Sequence, residues 1–456
     1  MALRQSITAV LFATLCCWLG ATGGARAAEG SPGAVDPSFG VGGVAAQAPR
    51  QLFPPNGANG PIGEDMVVGP DDEIFLLLSL QECEITCRIR FFLQRYLPDG
   101  TLDETFGREG TSAQVVVNAE ERLDPIERFS FGSLAVGSRG EPVVATAEGG
   151  DLILFRFDRS GNLAQGFGTA GMLDLDFGGS ETRPQVAVLP DERIVVASGS
   201  LRGRRSFAIL ARLLPDGNLD PTFGEGPGAR RLGWTKVGGR PPGALAVGGG
   251  GAIALAGGRC CSPAEVKSVY VGRRRSDGGP SNVVPRRWRP WRHLRVGPRA
   301  WVSSVIALPG GKLDVVGGSG ANLFAARLRP SGRLDRSFGR RGLVRFPEIL
   351  SGASPAVADA HRRLYVAGVR YPGYEYAPYR GIIARVTARG RHDGGWGNRI
   401  AGYARLRSIT EPLALGFQSD GKLVAFGEYA YECIRTCYLP GWALTRVFTG
   451  PNPGRR

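Results

Sequence analysis

One short turn is written over and over along this chain, and that repetition limits what it can fold into. "LPDGTLDETFGREG" at residues 97–110 returns as "FDRSGNLAQGFGTAG" (157–171), "LPDGNLDPTFGEG" (214–226) and "RPSGRLDRSFGRRG" (329–342). Weaker copies read "VDPSFGVGG" (35–43), "RSDGGPSN" (275–282) and "ARGRHDGGWGN" (388–398). A length of 456 residues alone suggests about three domains. A regular internal repeat overrides that prior, because each copy becomes a unit of one larger architecture.

A second motif runs between the turns in seven copies: "PDDEIFLLLSL" (70–80), "SRGEPVVATA" (138–147), "PDERIVVASGS" (190–200), "GGGAIALAGG" (249–258), "PGGKLDVVGGS" (309–319), "AHRRLYVAGV" (360–369) and "SDGKLVAFGE" (419–428). Each is a tight turn followed by an apolar run, with a short apolar segment before it and another after it. The recurring turn then leads to a fourth segment such as "TSAQVVV" (111–117). Abundant Gly (69) and Pro (32) beside a hydrophobic fraction of 43% fit many short strands joined by tight turns. Each repeat therefore reads as a four-stranded antiparallel meander, the blade of a β-propeller. A lone blade cannot bury both faces, and a ring of blades can.

The ends set the closure. The first copy supplies only a fourth strand, "VGGVAA" (41–46), and the last stops after its third, "GWALTRVF" (441–448). The expectation is an all-β, seven-bladed β-propeller whose last blade is completed by the N-terminal strand. Its blades fall near 64–117, 131–177, 183–234, 243–288, 301–347, 354–406 and 411–448 plus 41–46, within one domain spanning 29–456. In the recurring turn, Asp and Gly supply the geometry. Phe106 and its counterparts Phe39, Phe167, Phe223, Phe338 and Trp396 are expected to bury a ring between blades. Calcium binding by these turns is disfavoured, because they lack alternating oxygen ligands ending in Glu.

The pairing of "LPDGTLDETFG" with "DGKLVAFG" resembles the bacterial delta-60 repeat, most cleanly at 90–107, 206–224 and 322–339. The resemblance covers essentially the whole chain after its leader and implies a propeller-like, exported or surface protein. It implies no catalytic residues. Blade four departs from the pattern, since "SDGGPSN" lacks the LDxxFG core.

Residues 1–28 read as a cleavable signal peptide: a basic start, an apolar run at Ile7–Gly20 and small residues ending in Ala27-Ala28. A secreted or cell-surface location follows, with retention by an uncleaved signal as the alternative, and no later stretch is long and apolar enough to span a membrane. Six cysteines remain after cleavage, and an even number in an exported chain points to disulfides. Cys83 and Cys87 share one hairpin loop, Cys433 and Cys437 another, and Cys260-Cys261 are adjacent in a third. The rival zinc reading lacks C-x-x-C spacing and a nearby His, so no metal site and no cofactor are expected. The net charge of +15 rests almost wholly on Arg, with four Lys, which reads as genome composition.

In a meander, alternate connections lie on opposite faces. The hairpins between second and third strands share one face with the blade-to-blade linkers, and the repeated turns occupy the other. Function favours variable loops on a rigid scaffold, which directs attention to the first face. Tyr371, Tyr374, Tyr376 and Tyr379 fall there in blade six, with Tyr429, Tyr431 and Tyr438 in blade seven. Such rings suit sugars or peptides, against the alternative that they pack on one another. A second candidate contact is the basic stretch 286–299, where Arg286, Arg287, Trp288, Arg289, Trp291, Arg292 and Arg295 could grip a polyanion or form a solvated edge.

Familiar catalytic patterns are missing. The three His (293, 361, 392) sit in no H-E-x-x-H, and neither a G-x-S-x-G elbow nor a phosphate-binding loop occurs. The reading is a secreted, monomeric, non-catalytic scaffold for a glycan, cell-surface polymer or protein, with nucleic acid disfavoured. Two alternatives stand beside it: a carbohydrate-active hydrolase or lyase using carboxylates from distant loops, and a structural or adhesive surface repeat.

Overall fold

The protein is represented by a computed structural model, which describes residues 30–47, 61–83, 87–119, 132–148, 150–203, 205–224, 232–237, 242–258, 268–280, 291–320, 322–349, 354–370, 380–397, 402–406, 408–432 and 438–450. The signal-like segment 1–28 lies outside them. Among the described residues there are seven four-stranded antiparallel sheets and two single 3-10 turns, Gly249–Gly251 and Pro309–Gly311.

Blade one runs through Ile62–Val68, Ile74–Cys83, Cys87–Tyr96 and Val115–Ala119. Its second strand is a continuous apolar run, buried from Ile74 to Leu78, as a strand covered on both faces must be. The first strand alternates instead, and the first strands of neighbouring blades touch in an unbroken cycle from blade one to blade seven and back. They therefore line the axis.

Seven buried apolar clusters account for the core, one at each seam between neighbouring blades. The seam between blades seven and one holds Phe39 and Ala45 from the N-terminus with Leu76, Phe92, Phe426, Trp442 and Leu444. Closure is as the sequence implies: Val44–Gln47 pairs with Tyr438–Val447 as the outer strand of blade seven, Val44 opposite Thr445. The strand starts three residues later than 41–46, because Gly42 (φ +63°) and Gly43 (φ +95°) still belong to the turn.

The repeated turn does three jobs. Its phenylalanine is buried: Phe39, Phe106, Phe167, Phe223, Phe338 and Trp396 are at most 1% exposed. Each such ring contributes about 1.5–3 kcal/mol. Its glycine is the surface on which the previous blade's ring lies. A Cβ at Gly100 would stand 2.8 Å from Phe39, and φ there is +86°, so space and backbone both demand glycine. Its aspartate accepts bonds from the residue two places on, as Asp103 Oδ1 does from the Thr105 hydroxyl (2.6 Å) and amide (3.1 Å).

A fourth contact, made from the third strand, fastens the ring. One arginine per third strand reaches the next blade and donates to a carbonyl in or beside its turn. Arg95 donates to Arg159 O (2.6 Å), Arg156 to Pro215 O (2.9 Å) and Arg212 to Ser276 O. Arg273 donates to Gly311 O (2.6 Å), Arg327 to Ala388 O (2.6 Å), Arg385 to Thr449 O, and Arg446 back to Pro98 O (2.8 Å). A carboxylate neutralises six of the seven. Asp103 serves Arg95, Asp220 serves Arg212, Asp393 serves Arg385, Asp36 serves Arg446, and Asp314 serves Arg327. Blade two has Ala164 where that Asp would stand, and Glu141 (2.6 Å) and Glu192 (3.2 Å) take over at Arg156. Blade four is the exception. Among the described residues no carboxylate replaces the missing LDxxFG aspartate, and burial brings the pKa of this guanidinium down to about 10.

Two outcomes follow. Phe106→Ala should destabilise the fold by about 3–5 kcal/mol, whereas Val41→Ala at a 90% exposed position should leave the melting temperature unchanged. Burial raises the pKa of Asp220, but hydrogen bonds from Thr222 and Arg193 and the charge of Arg212 outweigh it and bring it to about 2. A folded value below the unfolded one stabilises the fold above about pH 4, and that contribution is lost as pH falls towards 2. Acid titration of stability should therefore lose slope across that window in Asp220→Asn.

Candidate functional sites

Two hairpins stand taller than the rest on the face opposite the repeated turns. In blade one, Ile74–Cys83 pairs with Cys87–Tyr96, and in blade seven Leu423–Glu432 pairs with Tyr438–Val447, each strand ten residues long. The two blades are ring neighbours, so their hairpins rise side by side. Register sets Cys83 opposite Cys87. Cys260, Cys261, Cys433 and Cys437 lie outside the described residues. So do Tyr371, Tyr374, Tyr376 and Tyr379. Tyr429 packs against the core between blades six and seven, and Tyr431 and Tyr438 occupy the blade-seven hairpin, with Tyr431 opposite Leu439.

The same face carries an acidic notch between blades two and three. Asp151 opens the third strand of blade two (Asp151–Arg156), Asp176 follows its fourth strand (Met172–Leu175), and Glu181 lies at the start of blade three's first strand (Ser180–Val188). One carboxylate oxygen from each lies within 4.8 Å of the others. Glu181 is 2% exposed, and burial, reinforced by Asp176 and Asp151, pushes its carboxyl up to about 7. Burial and the nearby Asp174 and Asp176 also raise Asp151.

A basic cleft of about 790 Å³ lies at the rim, between the repeated turns of blades five and six. Arg340 and Arg345 line it from blade five, Arg389, Arg391 and His392 from blade six. Every one of these side chains is exposed, and among the described residues Arg340, Arg389 and Arg391 form no ion pair. His392 forms the wall, stacked on Tyr403 at 5.5 Å and edge-on to Phe346. The guanidinium of Arg345 donates to the carbonyl of Val296, next to Arg295 on blade four's outer strand, Trp291–Arg295. The cleft thus adjoins the described end of the basic stretch, where Arg295 is exposed. Arg286, Arg287, Trp288 and Arg289 lie outside the described residues, and Trp291 and Arg292 sit in that outer strand.

Neither the notch nor the cleft was singled out from sequence. The notch has a local trace in "DLDFGGSE" (174–181), but Asp151 comes from another hairpin. The cleft unites two turns about 50 residues apart, whose arginines look like general composition.

Comparison with family models agrees on architecture. A family model described as a domain of unknown function (DUF5122) beta-propeller matches residues 189–223, which span blade three's second and third strands and the turn after them. No curated protein matches the chain in sequence. Among solved structures, the polysaccharide lyase Uly1 is similar at 9% identity and TM-score 0.45, over 89% of this chain and 95% of that one. The aldose sugar dehydrogenase of Streptomyces coelicolor is similar at 11% identity and TM-score 0.39, over 69% of this chain and 94% of that one. Prolyl oligopeptidase B of Galerina marginata gives 11% and 0.42 over 83% of this chain, which spans about half (47%) of that enzyme. Likenesses this distant carry nothing about chemistry. By fold and by the match within its third blade, the chain is a β-propeller repeat protein.

Proposed function

We propose that this is an exported, non-catalytic propeller scaffold that binds an anionic cell-surface polymer along the rim of blades four to six. The observation that carries the reading is the cleft, where arginines without ion pairs converge on one concave surface. A guanidinium fork pairs with carboxylate or phosphate in two-pronged fashion, and its weak hydration suits such a contact. Charges crowded in one cleft also steer a polyanion towards it. The net charge of +15 adds a long-range attraction of the same sign. The leader at 1–28 would export the chain, the paired cysteines would form local disulfides once outside the cell, and the loop-face tyrosines would add a second contact for sugar rings.

A hydrolase or lyase reading has one observation behind it, the Glu181 carboxyl pushed up to about 7 beside two other carboxyls. Retaining glycosidases separate their two carboxyls by about 5–5.5 Å around a substrate pocket. Here three carboxylates converge rather than two flanking a pocket, and the cleft lies on other blades. Binding is therefore the stronger reading.

The test is affinity for a polyuronate, with neutral dextran as control, followed by fluorescence anisotropy at low and physiological salt. Replacing Arg340, Arg389 and Arg391 together by Ser should weaken polyuronate binding about tenfold or more and flatten its salt dependence. Binding that ignores both salt and these replacements, or release of reducing ends that disappears in Glu181→Gln, would overturn the reading.

A further inference from the structure

The acidic notch is an anomaly in so basic a protein. Among the described residues, Asp151, Asp174, Asp176 and Glu181 form no ion pair, although arginine is plentiful elsewhere. Glu181 is the sharpest case. Its side chain is 98% buried, and neither carboxylate oxygen has a hydrogen-bond partner of acceptable geometry. The Ser200 hydroxyl faces Glu181 across the strand pair, and its single proton could satisfy one of the two oxygens at most. Buried polar groups are almost always satisfied, and an orphaned carboxylate is among the costliest to leave so.

We propose that Asp151, Asp176 and Glu181 bind one hard divalent cation, Ca2+ by ligand number and type. The donor set is oxygen only, with no His or Cys, which selects Ca2+ or Mg2+ over zinc and the other transition metals. Oxygens sharing a Ca2+ at about 2.3–2.6 Å can stand up to about 5 Å apart, whereas the tighter Mg2+ shell at about 2.0–2.1 Å brings them closer. Three protein carboxylates converging on one point suit Ca2+, since Mg2+ is usually held by one or two and keeps most of its waters. Asp176 is exposed and Asp151 partly so, leaving one side open for the waters that complete a Ca2+ shell.

The ligands are held by backbone, not by one another. The Glu181 amide donates to Gly150 O (2.7 Å), fixing the start of blade three against blade two's hairpin. Asp176 Oδ1 accepts from the Gly178 amide (2.5 Å), which leaves its second oxygen for a cation. Bound there, the ion would join blades two and three on the loop face, across the sheet from the Arg156–Glu192 pair that joins them on the turn face. The inference is independent of polymer binding at the arginine cleft, whose residues lie on blades five and six.

The full chain would be titrated with CaCl2 while the melting temperature and sensitised Tb3+ luminescence are followed. The melting temperature should rise saturably, Tb3+ emission should be displaced by Ca2+, and Mg2+ should act at least about tenfold more weakly. Asp176→Asn, an exposed change, should fold normally and weaken Ca2+ at least about tenfold. Glu181→Gln should abolish the response while melting no lower than the Ca2+-free wild type, because it removes a buried charge. A melting temperature indifferent to millimolar Ca2+, or a response that survives both replacements, would overturn the assignment.

Discussion

Each blade ends its third strand with an arginine whose guanidinium crosses a seam and donates to a carbonyl of the next blade, and the last reaches back to the first. The rest of the fold depends on that cycle. A four-stranded blade has two apolar faces and nothing of its own to cover either. Hydrophobic burial would bring blades together in any rough stack, since it has no direction. A buried donor that must meet one particular carbonyl supplies the direction. Arg212 lies over the Phe223 ring at 4.7 Å and Arg446 over Phe39 at 4.9 Å, so each guanidinium is packed as well as paired. Removing a carboxylate partner leaves a buried charge unmatched, which binds turn and arginine together as one unit. Blade two keeps its arginine matched with Glu141 and Glu192, blade five with Asp314 on its second strand, and blade four does without.

Much of this fold is legible in the chain because turns and apolar runs alternate at a fixed interval. The incomplete first and last copies imply their own pairing, and Val44–Gln47 duly lies against Tyr438–Val447. Burial of Phe106 and its counterparts follows from a large ring repeated in an otherwise polar turn. The arginines were equally visible, five residues before the turn glycine in Arg95 and Gly100, Arg156 and Gly161, Arg212 and Gly217, and Arg327 and Gly332. Overall arginine content hides them, since composition discards position. Periodicity could not give the candidate sites. The acidic notch draws on two blades, and the basic cleft draws on the turns of two others. Such sites arise where a ring brings unlike repeats side by side, and a repeat pattern records only what the repeats share.

The scaffold separates rigidity from variation. Positions that cross seams are spoken for: the phenylalanine, the glycine beneath it, the arginine and its acid. Positions that face outward on the same turns are free to differ, so blades five and six can raise Arg340, Arg389 and Arg391 without disturbing a seam. On the opposite face, hairpin length varies from the short Glu148–Asp151 connection to the tall pairs of blades one and seven. Ligand chemistry can thus change blade by blade while the frame stays constant.

The most direct test is to delete residues 30–47 and supply them again as a separate peptide. These residues provide the outer strand of blade seven, Phe39 at the closing seam and Asp36 against Arg446 at 2.8 Å. The truncated chain should lose its cooperative thermal transition or melt far lower, and the peptide should restore the transition in proportion to its occupancy. A truncated chain that melts like the full one, indifferent to the peptide, would contradict a ring closed by its own N-terminus.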